Sequence, residues 1–131
     1  MLKSLLLTSA VGASLMFAAP SADAKIEDAL ANICAIVKAD DKGELRKKMK
    51  KVQSDYSIKL RDYYDGITCG GNSLIRLAIL NNAVEAGTLL VKKMPKKHLS
   101  KPEADGKTLQ AWIAEQGLDT NAVAQVVADR I

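Results

Sequence analysis

The chain has 131 residues and a formal net charge of +4, and it is 48% hydrophobic but only 4% aromatic. That length gives one compact domain its own core and is too short for two. With so few aromatics the core must be built from Leu, Ile, Val and Ala, which favours helices, and one histidine beside two cysteines leaves no soft-ligand set for zinc once the cysteines pair.

The chain opens on an export signal. Lys3 supplies the positive start, Leu5 to Ala19 is an apolar run of aliphatic and small residues, Pro20 breaks it, and Ala22-Asp23-Ala24 has the small-x-small pattern of a cleavage site. The run is shorter than the roughly 20 apolar residues that span a bilayer as a helix. Residues 1–24 are therefore expected to be a cleaved signal peptide. The mature chain, 25–131, is expected to be soluble and periplasmic, with no transmembrane segment.

The mature chain reads as all-α, a bundle of about seven short helices. Ile26, Ala29, Leu30, Ile33, Cys34 and Val37 recur at helical spacing and predict a first helix with one buried stripe. After Asp40-Asp41-Lys42-Gly43, a second helix turns Leu45, Met49 and Val52 inward and a lysine-rich face outward. Ser57 is the expected N-cap of a third, which carries Leu60, Tyr63, Tyr64 and Ile67 and ends at a left-handed Gly66. Asn72 or Ser73 caps a fourth, nearly all-apolar helix, the expected centre of the core. A fifth aligns Val84, Gly87, Leu90, Val91 and Met94 and stops at Pro95. Residues 25–95 thus form the expected core, and 96–107 a polar loop without periodicity. Residues 108–131 form a helical hairpin: Thr108 or Asp105 caps Leu109, Trp112 and Ile113, Gly117 closes, and Asp119 or Thr120 opens the last helix with Val123, Val126 and Val127. No segment alternates with period two, so no sheet is expected.

The two cysteines carry the sharpest expectation. Cys34 lies on the buried stripe of the first helix and Cys69 at the entrance to the central one. In an exported domain two such cysteines form a disulfide. Thioredoxin-like chemistry needs C-x-x-C on a βαβ scaffold, whereas here the partner lies 35 positions away. On the chain-entropy account a bridge of that span stabilises by about 4 kcal/mol.

Catalytic signatures are missing. The single His98 sits in a lysine-rich loop, and there is no nucleophile elbow, Walker loop or dinucleotide fingerprint. The expectation is a protein without catalysis, cofactor or metal. Charge supplies the candidate site. Lys47, Lys48, Lys50 and Lys51 form one basic cluster and Lys92, Lys93, Lys96 and Lys97 another, suited to an acidic protein surface or an anionic envelope component. Nucleic acid is disfavoured, because no stacking aromatics are interleaved with the charges. A weaker anion site is suggested by Gly70, Gly71 and Asn72 at a helix entrance with Arg76 one turn on.

"GNSLIRLAILNNAVEAGTLLV" (71–91) and, more loosely, "GKTLQAWIAEQGLDTNAVAQVV" (106–127) resemble the helix pair of an ankyrin repeat, a similarity that short helical hairpins share. The early "ICAIVKADDKGELRKKMK" and the later "CGGNSLIRLA", taken with the export signal, resemble a family of small secreted gamma-proteobacterial proteins of unknown function over about residues 26–92. That resemblance implies a bacterial periplasm and brings no activity or site residues with it. The sequence alone leads to a non-enzymatic binding or envelope-accessory protein. A thiol-dependent or other small enzyme, and a structural or stress-induced protein without a ligand, are the alternatives.

Overall fold

The computed structural model describes residues 22–131. The apolar run of the expected signal peptide lies outside the described residues, and only its last three positions, Ala22 to Ala24, fall within them, as helical backbone. The described residues are helical and carry no strand. No helix among them is long and apolar enough to cross a membrane.

The first expected helix is two. α1 (Ala22–Ala29) and α2 (Ile33–Lys38) are separated by a turn in which Asn32 takes a left-handed φ of 67°. Asn tolerates that conformation better than most residues. The apolar spacing is kept across the break, because the turn restores Ile33 and Val37 to the core.

α3 (Lys42–Tyr56) buries Leu45, Met49 and Val52 as expected, and the Asp41 carboxylate accepts from the Glu44 N–H at 3.1 Å to cap it. Ser57 does not open the next helix. It takes a left-handed φ of 58° and closes α3, while α4 (Leu60–Tyr63) starts at Lys59, whose N–H donates to Asp62 at 2.7 Å. A 3₁₀ turn, Tyr64–Gly66, follows, and Gly66 does not take the expected left-handed conformation.

α5 (Leu74–Leu80) is the central helix: six of its seven residues are buried, and the Ser73 hydroxyl accepts from the Arg76 N–H. α6 (Val84–Lys93) packs against it after the Asn81-Asn82 turn, although Val84, expected inside, is 37% exposed in the first turn. The N-terminus of α6 is capped from afar, since the Asp40 carboxylate accepts from Ala86 N–H at 2.7 Å. Pro95 ends α6 as expected, but the following stretch is more than a loop. It holds a one-turn helix, α7 (Lys96–Leu99), that seats Leu99 in the core.

α8 (Leu109–Gln116) is capped by Thr108 and closed by Gly117 at φ 68°. α9 (Ala122–Arg130) is opened by Asn121 rather than Asp119 or Thr120: its Oδ1 accepts from Val123 and Ala124, and its Nδ2 donates to the carbonyl of Ile79 on α5. The C-terminal hairpin is docked. α9 lies against α6 so closely that a Cβ built on Gly87 would fall 2.6 and 2.8 Å from the Val123 methyls. Arg130, at the end of α9, donates to the carbonyls of Val91, Lys92 and Met94 and so satisfies the open end of α6.

Candidate functional site

Cys34 and Cys69 form a disulfide with Cα atoms 5.7 Å apart, which uses both cysteines of the chain. The bridge joins α2 to the turn that leads into α5. In that turn Cys69 and Asn72 exchange backbone hydrogen bonds of 2.7 and 3.2 Å, and Gly70 and Gly71 take φ values of 61° and 86°. Two consecutive positive φ values are what a type I′ turn requires, and glycine meets them without strain. The two glycines thus have a structural role.

Arg76 is also accounted for within the fold. It is 6% exposed, and its guanidinium is held by two carboxylates from the 100–108 stretch. Nη1 and Nη2 donate to the two oxygens of Asp105 at 2.7 and 3.0 Å, and Nη2 also donates to the Lys107 carbonyl. Nε lies 2.8 Å from Glu103 Oε1, a close ion contact without the alignment of a hydrogen bond. The Arg76 carbon centre sits 5.0 Å from the centroid of the Trp112 ring, within cation–π range. Tyr64 completes the cluster by donating to Glu103 at 2.8 Å.

Burial works against the charge on Arg76, but the hydrogen bonds to Asp105 and the charges of Glu103 and Asp105 outweigh it and raise its pKa. The Arg76 hydrogen bond, with the Lys107 N–H behind it, holds Asp105 at about 2. Tyr64 is pushed well above the usual phenol range by burial and by Glu103. The charge of Arg76 is thus met by carboxylates of its own chain. Of the residues of the suggested site at Gly70, Gly71, Asn72 and Arg76, Arg76 acts as a clamp that straps the 100–108 stretch across α5, and Gly71 and Arg76 line a cleft of about 530 Å³ together with Glu103 and Asp105.

The expected basic clusters divide by helix face. On α3, Lys47 pairs with Glu44 at 3.3 Å and Lys51 with Asp55 at 3.1 Å on a solvated edge. Lys48 turns inward and donates to the Ala29 carbonyl at 3.0 Å, tying α3 to α1. Lys96 and Lys97 are exposed on α7.

The remaining three, Lys50, Lys92 and Lys93, come together. They line a groove of about 650 Å³ between α3 and the end of α6, joined by Arg46, Lys59 and Gln53 over a floor of Met49 and Leu60. No carboxylate lines it, and none of its five cations makes an ion pair among the described residues. Arg46 and Lys59 were not among the expected site residues. Arg46 was within reach of sequence reasoning, since it stands four residues before Lys50 and so shares its helix face. Lys59 reaches the groove only through the turn after α3, which no local pattern encodes.

A second cleft, of about 520 Å³, opens beside the disulfide; its walls include Ile26, Leu30, Ile33 and Tyr63, and it carries carboxylates at Glu27 and Asp62. Among the described residues, no group of His, Cys, Asp and Glu is placed to hold a metal ion.

The sequence matches the family described as protein of unknown function DUF3718 over residues 33–101, just over half of the chain. The chain belongs to the DUF3718 family. The matched stretch contains both cysteines and every residue lining the basic groove, whereas Glu103, Asp105 and Trp112 lie beyond it. No curated protein matches, and no solved structure matches.

Proposed function

We propose that this DUF3718 protein is a non-enzymatic binding or envelope-accessory protein of an oxidising compartment outside the cytoplasm, the periplasm, and that its α3–α6 groove takes an anionic partner. One observation carries the reading. Arg46, Lys50, Lys59, Lys92 and Lys93 converge on one concavity with no acid among its lining residues. Like charges brought together repel and cost stability, so a cluster of five without internal compensation fits a surface completed by an opposite charge.

The disulfide is compatible with the compartment, because such bridges persist where the medium is oxidising. It also favours binding over thiol-dependent chemistry, since both cysteines are held in the bridge. The test is co-sedimentation with anionic and neutral vesicles, and retention on immobilised polyglutamate and polyphosphate, across a salt series. Retention by at least one polyanion that falls steeply with salt, and falls again in a Lys50→Gln/Lys92→Gln/Lys93→Gln variant, is expected. Indifference to all of these polyanions, or full retention by the variant, refutes the reading.

A further inference from the structure

The chemistry of the groove lining narrows the partner, on the premise that this groove is the binding site. Lys and Arg side chains carry hydrogen-bond donors and no acceptor. Four of the eight lining residues are Lys and one is Arg; Gln53 offers a single amide oxygen, and Met49 and Leu60 offer nothing stronger than a thioether.

The backbone does not redress the balance. The walls are α3, the start of α4 and the end of α6; at the start of α4 the Lys59 N–H donates to Asp62 and the Lys59 carbonyl accepts from the Asp62 N–H. The carbonyls of Val91, Lys92 and Met94 at the open end of α6 accept from Arg130. Arg130 thereby offsets part of the negative end of α6, which would otherwise repel an anion.

A peptide strand or a sugar presents donors and acceptors in similar number and would leave its own donors unpaired here. That costs free energy in any desolvated contact. A phosphoryl group at neutral pH presents oxygens that all accept. It also concentrates negative charge, and so suits several flexible point charges converging without a fixed fork. A single phosphate cannot neutralise five cations, whereas two or three linked phosphoryl groups approach that charge and fit a groove of this size.

We propose that the α3–α6 groove is a binding site for a compact, multiply phosphorylated group, held by Arg46, Lys50, Lys59, Lys92 and Lys93. The group can come from a soluble polyphosphate or from a phosphorylated lipid headgroup. Both present the same acceptor-only chemistry.

The test is calorimetric titration of the full mature chain with pyrophosphate and tripolyphosphate, set against citrate as a carboxylate of comparable charge. A second arm uses vesicles of phosphatidylcholine with and without cardiolipin, whose headgroup joins two phosphoryl groups. Two variants with the same loss of charge separate the groove from general electrostatics: Lys50→Gln/Lys93→Gln removes two groove cations, and Lys47→Gln/Lys51→Gln removes two on the solvated edge.

Pyrophosphate should bind more tightly than citrate, and cardiolipin vesicles more tightly than neutral vesicles. The groove variant should weaken that binding about tenfold or more, and the edge variant less than about threefold. Binding in the soluble arm alone assigns the group to free polyphosphate, and in the vesicle arm alone to a headgroup; either upholds the proposal. Equal losses in the two variants, or citrate binding as tightly as pyrophosphate, overturn it while leaving an anion-binding protein in place. Failure to bind any of these anions overturns this proposal, and retention on immobilised polyglutamate then decides whether the anion-binding reading falls with it.

Discussion

Replacing Arg76 by Met removes the cation at the centre of the clamp and leaves its neighbours in place. The Glu103 side chain is 11% exposed and would remain charged in a site from which water is largely excluded, with only the Tyr64 hydroxyl donating to it at 2.8 Å. Asp105 is better placed, since its side chain is 42% exposed and can recover hydration. Breaking a buried ion pair from one side costs about 3–5 kcal/mol, and the partial exposure of Asp105 puts the expected loss near the lower end, about 3 kcal/mol. At about 2.1 cal/mol/K per residue, a domain of roughly 110 residues moves its midpoint by about 4 °C for each kcal/mol, so Arg76→Met should lower Tm by about 13 °C. Trp112 is the only tryptophan and lies under the guanidinium, so urea unfolding followed by its fluorescence reads the clamp and the global transition together. The double variant Arg76→Met/Glu103→Leu should recover much of the loss, because it removes the stranded carboxylate as well. A single variant costing less than about 1 kcal/mol, or a double variant no more stable than the single, would refute the view that a buried ion pair holds the 100–108 stretch.

The same clamp sets an acid limit. Asp105 is held at about 2 in the folded chain against an ordinary 3.8, so its contribution is complete above about 4 and is lost as pH falls towards 2; the wild type should lose stability across that window, and Arg76→Met should lose less. Gly87→Ala should destabilise by about 1–3 kcal/mol even though alanine is the better helix former, because its methyl would enter the Val123 side chain. Pairing it with Val123→Ala should return part of the loss in denaturant unfolding, and a stabilised single variant would mean that α9 is not packed there. Serine at both Cys34 and Cys69 should lower stability by up to about 4 kcal/mol, and mass spectrometry of unreduced peptides should show the two cysteines linked. Trp112, 7% exposed, should emit at short wavelength and resist iodide quenching, and water-like emission from the folded chain would contradict its place beneath Arg76.

Much of the fold was legible because most of its helices announce themselves locally. The stripe of Leu45, Met49 and Val52, the apolar α5, the caps at Ser73 and Thr108 and the left-handed Gly117 all follow from residues within one or two turns of each other. The misreadings arose where a polar residue could serve either of two neighbouring ends. Ser57 can cap a helix that follows or close one that precedes, and Lys59 with Asp62 supplied the competing start. Asn121 displaced Asp119 and Thr120 because its amide also reaches the Ile79 carbonyl on α5. Asp40 and Arg130 were not legible as caps of α6 at all, since each acts across some 40 positions of chain. The site divided in the same way. Composition revealed that basic clusters exist, but which lysines point together depended on the crossing of α3 with α6. Arg76 read as an available cation because nothing local reveals that Glu103 and Asp105 fold back over it.

The groove and the clamp treat charge in opposite ways. Arg76 is buried and its charge is met by two carboxylates, a carbonyl and an aromatic face. Arg46, Lys50, Lys59, Lys92 and Lys93 are solvated and unopposed, and their repulsion works to part α3 from α6. What resists that parting lies outside the groove. Leu45 and Val52 on the inner face of α3 and Leu90 and Val91 on α6 are fully buried, and α9 is pressed against α6 at Gly87. The Asp40 cap fixes one end of α6 and the Arg130 cap the other. An apolar core on one side of each helix can hold the two basic faces together at a cost of tenths of a kcal/mol per like-charged pair on the other. An anion entering the groove would remove that cost. Ligand and fold are then coupled: a polyanion bound at the groove should raise Tm, and should do so less in the Lys50→Gln/Lys93→Gln variant, whose unliganded form already carries less of the repulsion.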